Sequence, residues 1–581
     1  MTKPGTNPSV KNGVENGVEN GTSARQSAGR HPAWLILAAS LWLATVCNIP
    51  LWKGLGQLST YETFQGAAFA VAMALIIAGT MAAIASLFAW RRTLKPALSL
   101  FMLMAALGLH FMLSYQVVID PNMMVNALQT DPREVRDLIG MRLLVTLLVL
   151  WVLPTLALWR WQVDYGRWPR RLAHNSLQVV ASLLAVTALL FASFGPLAST
   201  MRNHREVRYL INPLNSVYAL ASVAAKPFQR DESVVLPLGR DAHVVSLAGT
   251  TRPPLLVLVL GETGRSGNFG LNGYGRDTTP ELAARLVTSF TDAWSCGTST
   301  AESVPCMFSD LGREAYPARK HNTEGLLDVV EHAGMAVLWL DNQSGCKGVC
   351  DRIGSTATSN LNDPQLCPGN ECFDGIMLKD LDARIAALPA ERRAQGVVVV
   401  MHQLGSHGPA YTLRSPAAYK RFKPECTSSD LQSCSKQELA NAYDNSVAYT
   451  DHFLAATIDW LKEQQTYAGA MVYVADHGES LGENNLYLHG MPYMVAPDVQ
   501  KHVPWINWFS QPYAARTGLS EGCLRESSGR NISHDNYFHS VLGLLSIQTA
   551  VYRQTMDVYA PCRKSSIPVA DAAPVAGLAG T

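Results

Sequence analysis

Across its first 295 residues this chain carries a single cysteine, Cys47, and its longest apolar stretches hold almost no charge. Its second half has no basic run, and no two cysteines anywhere stand in C-x₂-C spacing. Each gap excludes something. A formal net charge of +1 on 581 residues, without a basic run, offers no surface for nucleic acid. The missing C-x₂-C spacing fits poorly with a zinc ribbon. Uncharged apolar stretches of this length fit a membrane better than a soluble core.

Five such stretches lie near 33–50, 64–90, 97–118, 141–159 and 175–197. Each is close to the roughly 20 residues that cross a bilayer as a helix. Lys3, Lys11, Arg25 and Arg30 precede the first stretch; Arg91, Arg92 and Lys95 follow the second; Arg160, Arg167, Arg170 and Arg171 follow the fourth. The alternate loops carry fewer cations, and Arg133 and Arg136 are offset by Asp120, Asp131, Glu134 and Asp137. The positive-inside bias therefore predicts a cytoplasmic N-terminus, and five crossings put everything after residue 197 outside. A cleaved signal peptide is not expected before a long apolar run that four more follow. The polar repeat NGVENGVENG lies in an expected disordered tail, 1–31, and the Ala/Pro-rich end, 564–581, in a second loose tail.

The other ten cysteines all lie beyond residue 295, as in an exported, disulfide-bonded domain. Sequence proximity suggests the pairs Cys296–Cys306, Cys346–Cys350, Cys367–Cys372 and Cys426–Cys434, leaving Cys523–Cys562 as a long-range bridge. Between the membrane domain, 32–197, and a domain over 251–563, residues 198–250 read as bridging amphipathic helices on the membrane surface. Within 251–563, the runs PPLLVLVL, MAVLWL, GVVVVM and AMVYVA alternate with helical segments such as 436–465. That alternation predicts an α/β domain with a mainly parallel sheet.

Ligands collect at the C-terminal edge of such sheets. Here the strand ends deliver Glu262, then Asp341 leading to Gln343 and Lys347, then His402 and His407, and finally Asp476, His477 and Glu479. Glu262, Asp476 and His477 make a suitable ligand set for zinc with one reactive position open. A metal there lowers the pKa of a hydroxyl, and SCGTSTAESVPC offers Thr298, Ser299 and Thr300 inside a loop bracketed by Cys296 and Cys306. Closing so short a loop contributes about 2–3 kcal/mol on the chain-entropy model. A helix starting soon after Thr300 would present its positive end to a phosphate. Composition alone leaves the choice among the three hydroxyls open.

The motifs CGTSTA, SVPCMFS, SHGP, DHGESLGE and YLHG, with the five apolar stretches, resemble the bacterial phosphoethanolamine transferases of the alkaline phosphatase and sulfatase superfamily, lipid A branch. The resemblance implies a five-helix transmembrane domain plus a periplasmic α/β domain of alkaline phosphatase/sulfatase type, in a monomer of the inner membrane. It implies Glu262, Thr300, Asp476 and His477 as zinc ligands, with Thr300 the nucleophile that carries phosphoethanolamine. It places His407 and His489 on the substrate phosphate or a second zinc, and Lys347 near the transferred group. Gln343 stands where some relatives have Asn, and Glu479 is either a partner of the ligands or the cap of a following helix. Asn126, Thr130 and Glu134 match positions for the donor headgroup, and their spacing of four predicts one shared helix face. The implied donor is phosphatidylethanolamine, the implied acceptor a lipid A phosphate, and the implied outcome weaker polymyxin (colistin) binding. Rival readings are transfer to core sugars or another envelope acceptor, a sulfatase, and a non-catalytic sensor or transporter. The chain lacks the C/S-x-P-x-R nucleophile motif of sulfatases, and its spans lack the paired charges of a transport path.

Overall fold

The computed structural model describes residues 29–564 apart from 59–62, 131, 205, 230, 246–251, 362 and 370. Both expected tails lie outside this range except at Gly29–His31 and Lys564. Among the described residues, five helices are long and apolar enough to cross a membrane: Pro32–Gly56, Phe64–Leu87, Leu94–Ser114, Met141–Arg160 and Trp168–Ala192. The first three pack on one another through Leu43, Met81, Leu98 and Met102. The fourth and fifth bury little within the protein, which leaves their apolar faces for lipid.

Between the third and fourth spans lie α1 (Pro121–Gln129) and α2 (Pro132–Leu138). The single face expected for Asn126, Thr130 and Glu134 is not formed. Helix α1 stops at Gln129, Thr130 is extended with ψ 132°, and α2 starts at Pro132. The pyrrolidine ring of Pro132 disfavours helical backbone before it, so the pattern spaced four apart spans two helices rather than one. The side chain of Glu134 lies outside the described residues. The bridging segment also differs from expectation. It contains α3 (Leu214–Gln229), but then runs into short strands, Asp231–Leu236 and His243–Val244, that pair with the soluble domain at His321–Thr323 and Ile547–Gln548.

The soluble domain is built on eight strands: β1 (Pro254–Gly261), β2 (Thr288–Trp294), β3 (Ala336–Asp341), β4 (Gly354–Ala357), β5 (Val397–His402), β6 (Ala468–Ala475), β7 (His502–Phe509) and β8 (Ile532–Ser533). They lie in the order β8-β2-β7-β6-β1-β5-β3-β4. β1 pairs in parallel with β5 and β6, β5 with β3, and β3 with β4; β7 alone runs against its neighbours β6 and β2. All eight residues of PLLVLVLG in β1 are buried, as a strand covered on both faces requires. Two further helices matter to the site, α4 (Thr300–Met307) and α5 (Lys436–Glu463). Helix α5 starts at a capping box: the Ser435 hydroxyl accepts from the Glu438 amide, and the Glu438 carboxylate accepts from the Ser435 amide.

Five disulfides form, Cys296–Cys306, Cys346–Cys350, Cys367–Cys372, Cys426–Cys434 and Cys523–Cys562, while Cys47 is free and buried in the first span. Polar contacts seat the soluble domain on the membrane domain. Arg142 donates to Asp430 at 2.9 Å, Gln432 to the Leu113 carbonyl at 2.9 Å, and Arg414 to Asp137 at 3.2 Å.

Candidate active site

Neighbouring β1 and β6 end level with each other, with Gly261 opposite Ala475. The next residues on each strand, Glu262 and Asp476–His477, are thereby brought together at the C-terminal edge of the sheet. The ligand atoms of Glu262, Asp476 and His477 all lie within 4.8 Å of one another. The chain turns sharply here: a Cβ on Gly478 would stand 2.0 Å from the Val499 carbonyl oxygen, so DHG needs its glycine.

Thr300 is the first residue of α4, and its hydroxyl points into the cluster. Thr300 Oγ1 donates to Glu262 Oε2 at 3.0 Å and lies 3.4 Å from His477 Nε2. The other two hydroxyls are placed differently. Thr298 donates to the Met491 carbonyl at 2.6 Å, and Ser299 is the N-cap residue of α4. All four clustered side chains are buried.

Desolvation dominates the electrostatics. Burial, followed by repulsion from His489, drives His477 well below the usual imidazole range, so the ring is neutral. Its Nδ1 is 2.9 Å from the Gly478 carbonyl, a hydrogen bond that leaves the Nε2 lone pair facing the carboxylates. Burial also raises the Asp476 carboxyl. Asp476 Oδ1 accepts from the amides of Thr263 and His477, whereas buried Oδ2 has no hydrogen-bond donor among the described residues. Two buried carboxylates, a neutral imidazole with a free lone pair and an orphaned oxygen make a donor set that suits a divalent zinc ion.

The surrounding groups complete the site. Gln343 Nε2 donates to Glu262 Oε2 at 2.9 Å. The rings of His477 and His489 lie 4.4 Å apart and those of His407 and His489 5.5 Å apart. His489 Nδ1 is 3.3 Å from Glu479 Oε2. Glu479 caps no helix, because a strand, Ser480–Glu483, follows it. Lys347 donates to Ser344 Oγ at 2.9 Å and lines a cavity that reaches Ser299 and Ala301 on either side of Thr300. From the membrane domain, α1 covers the site: Asn122 donates to Glu302 at 3.3 Å, and Met123 lies against Gly490, beside His489. Asn126 lies in the far part of α1 and Thr130 just beyond its end, where Thr130 Oγ1 donates back to the Asn126 carbonyl at 2.8 Å.

Two further residues hold the nucleophile loop in place: His534, which lies outside every motif, and Ser303, the first residue of SVPCMFS. His534 Nδ1 accepts from the Cys296 amide at 3.1 Å, and its Nε2 lies 3.0 Å from the Ala475 carbonyl at the end of β6. Burial lowers its pKa to about 4, so it acts as a neutral strut. Ser303 donates to the Asp476 carbonyl at 2.5 Å and accepts from the Gly297 amide at 3.2 Å. His534 stands far along the chain from either partner, and only the topology of the sheet brings it there.

The phosphoethanolamine transferase EptA/EptB family matches residues 75–228, and the sulfatase family matches residues 254–547. Phosphoethanolamine transferase EptA of Escherichia coli (strain K12) is 36% identical over 92% of this chain and 97% of that protein. This chain belongs to the phosphoethanolamine transferases. Phosphatidylethanolamine transferase Mcr-1 of Escherichia coli is likewise 36% identical, over 89% of this chain and 95% of its own length. Among solved structures, the integral membrane protein lipooligosaccharide phosphoethanolamine transferase A from Neisseria meningitidis superposes with a TM-score of 0.85. It is 34% identical and covers 92% of this chain and 99% of its own. The transferase fold therefore extends through both the membrane and the soluble parts.

Proposed function

We propose that this transferase moves phosphoethanolamine from phosphatidylethanolamine to a phosphate of lipid A through a covalent adduct on Thr300. The inner membrane holds the five spans, the N-terminus is cytoplasmic, and the disulfide-bonded domain works in the periplasm. The observation that carries the reading is the buried Thr300 hydroxyl, 3.0 Å from Glu262 at the first turn of α4. Glu262, Thr300, Asp476 and His477 would hold one zinc ion, and His407 and His489 are candidates for a second. When bound, zinc supplies a Lewis acid that lowers the pKa of a hydroxyl and offsets phosphate charge.

In the first step Thr300 Oγ forms a bond to phosphorus while the bond to the glycerol oxygen breaks; diacylglycerol leaves with the proton. In the second, an oxygen of the acceptor phosphate bonds to the same phosphorus while the bond to Thr300 Oγ breaks, and Oγ takes a proton from the acceptor phosphate or from water to restore the hydroxyl. The free amides at the start of α4 and the Lys347 ammonium balance the phosphate charge throughout. His407 and His489 line the phosphate's surroundings, and Gln343 keeps the Glu262 carboxylate in one orientation. Adding an amine to an anionic lipid reduces surface charge, so polymyxins bind less.

The test is mass analysis of the full-length protein mixed with phosphatidylethanolamine, together with lipid A from cells that express it. Thr300→Ala removes the adduct and lowers transfer at least about a thousandfold, the scale on which nucleophile loss acts. Undiminished labelling of that variant would refute the assignment.

A further inference from the structure

Beside the buried cluster lies a cavity of about 1010 Å³, far larger than a phosphoethanolamine group needs. Ser299 and Ala301, the two neighbours of Thr300, form one part of its wall, so it runs beside the nucleophile, while Thr300, Glu262, Asp476 and His477 themselves do not line it. Val125 of α1 and Val223 of the bridging helix α3 also face it, which gives apolar chains a path from the membrane surface.

The charges in its lining are the informative feature. Arg319 and Lys320 face the cavity from a loop separate from the catalytic cluster. The Arg319 guanidinium lies 3.6 Å over the Tyr316 ring and donates to the Tyr316 carbonyl at 2.7 Å, which holds the planar fork in a fixed direction. Lys320 is exposed and has no ion pair among the described residues. The nearby acid Glu324 is already engaged, by Arg240 at 2.7 Å and by His332 at 2.8 Å. At the Thr300 end the wall is acidic instead, through Glu302, which suits the ammonium of a group carried on the threonine.

We infer that this cavity is the docking site of the acceptor, a glycolipid bearing more than one phosphate, and that Arg319 and Lys320 bind a phosphate other than the one that reacts. The inference rests on the two-step reading above. The donor does not explain these cations, because its zwitterionic headgroup has a single phosphate, and that phosphate must sit at Thr300. A diphosphorylated sugar headgroup has the second anion, the size and the acyl chains that the cavity accommodates.

The test uses full-length protein in detergent, the double variant Arg319→Ala/Lys320→Ala and the single variant Lys320→Glu. Three readouts are followed: the rate of adduct formation with phosphatidylethanolamine, transfer to a purified diphosphorylated glycolipid over a range of concentrations, and direct binding of that glycolipid to each variant combined with Thr300→Ala. Adduct formation stays within twofold of the unaltered protein, KM for the glycolipid rises at least tenfold with kcat within twofold, and direct binding weakens at least tenfold. The same glycolipid stripped of its phosphates binds poorly and equally to all forms. Unchanged KM and binding in both variants overturns the inference. So does a parallel fall in adduct formation, which assigns the pair to the donor. If the unaltered protein forms no adduct but glycolipid binding still falls tenfold in the variants, the threonine reading fails and the acceptor site stands.

Discussion

Gln343 shows how much a single amide can matter at a buried ligand set. Its Nε2 donates to Glu262 Oε2, the carboxylate oxygen that also receives the Thr300 hydroxyl. Replacing it with Leu keeps the volume and removes one of the donors that hold Glu262 in its orientation. Partners that orient a metal's ligands typically change affinity ten- to a hundredfold. Gln343→Leu is therefore expected to weaken zinc binding by about that factor, read by competition with a chelator, while the fold is retained. At this scale the sequence was most legible where motifs were dense. Glu262, Asp476 and His477 could be read from their positions after apolar runs, because parallel strands end at one edge. The choice among Thr298, Ser299 and Thr300 could not, since all three carry the same chemistry and only the start of α4 turns one of them inward. His534 left no signal, being a lone histidine outside every motif, and the role of Ser303, although it begins SVPCMFS, could not be told from that of the other hydroxyls nearby.

Elements were legible where hydrophobic patterning is strong and obscure where one residue breaks a pattern. Four buried strands and the long helix α5 follow directly from runs and periodicity. The break between α1 and α2 comes from Pro132, a local steric rule that overrode the spacing of Asn126, Thr130 and Glu134. The end of β3 also carries a pH dependence. Burial alone would raise the Asp341 carboxyl, but the His402 ring and hydrogen bonds from Trp339 and the Gly345 amide outweigh it and hold it at about 2. A carboxyl held below its unfolded value contributes stability above that value and loses it as pH falls through the folded one. The expected contribution, about 2 kcal/mol, is complete above pH ~4 and vanishes towards pH ~2. Acid unfolding of the unaltered protein and Asp341→Asn, followed by circular dichroism, should show a shallower loss over that window in the variant.

Across the whole molecule, the relation between the two domains was the least legible feature, since nothing in composition says which loop meets which. Arg414 is the clearest joint. Its fully buried guanidinium binds Glu371 within the soluble domain and Asp137 from the membrane domain, and its Nε donates to the His407 carbonyl at 2.7 Å. Burial pushes the Asp137 carboxyl up against the pull of Arg414. Removing the cation strands two partly buried acids, a change that costs about 3–5 kcal/mol when such a pair is broken from one side. Arg414→Met should lower the thermal midpoint of the detergent-solubilised protein by several degrees, and Asp137→Asn by less, as measured in parallel melts.

The helix that roofs the nucleophile belongs to the other domain. Asn122 and Met123 rest on Glu302 and Gly490, so this helix covers one side of the threonine on which the proposed adduct would form. A fragment beginning after the spans would keep every ligand yet lose that shelter. Its loaded state would then discharge to bulk water, and what is a transferase in the bilayer would behave as a slow phosphodiesterase once cut free.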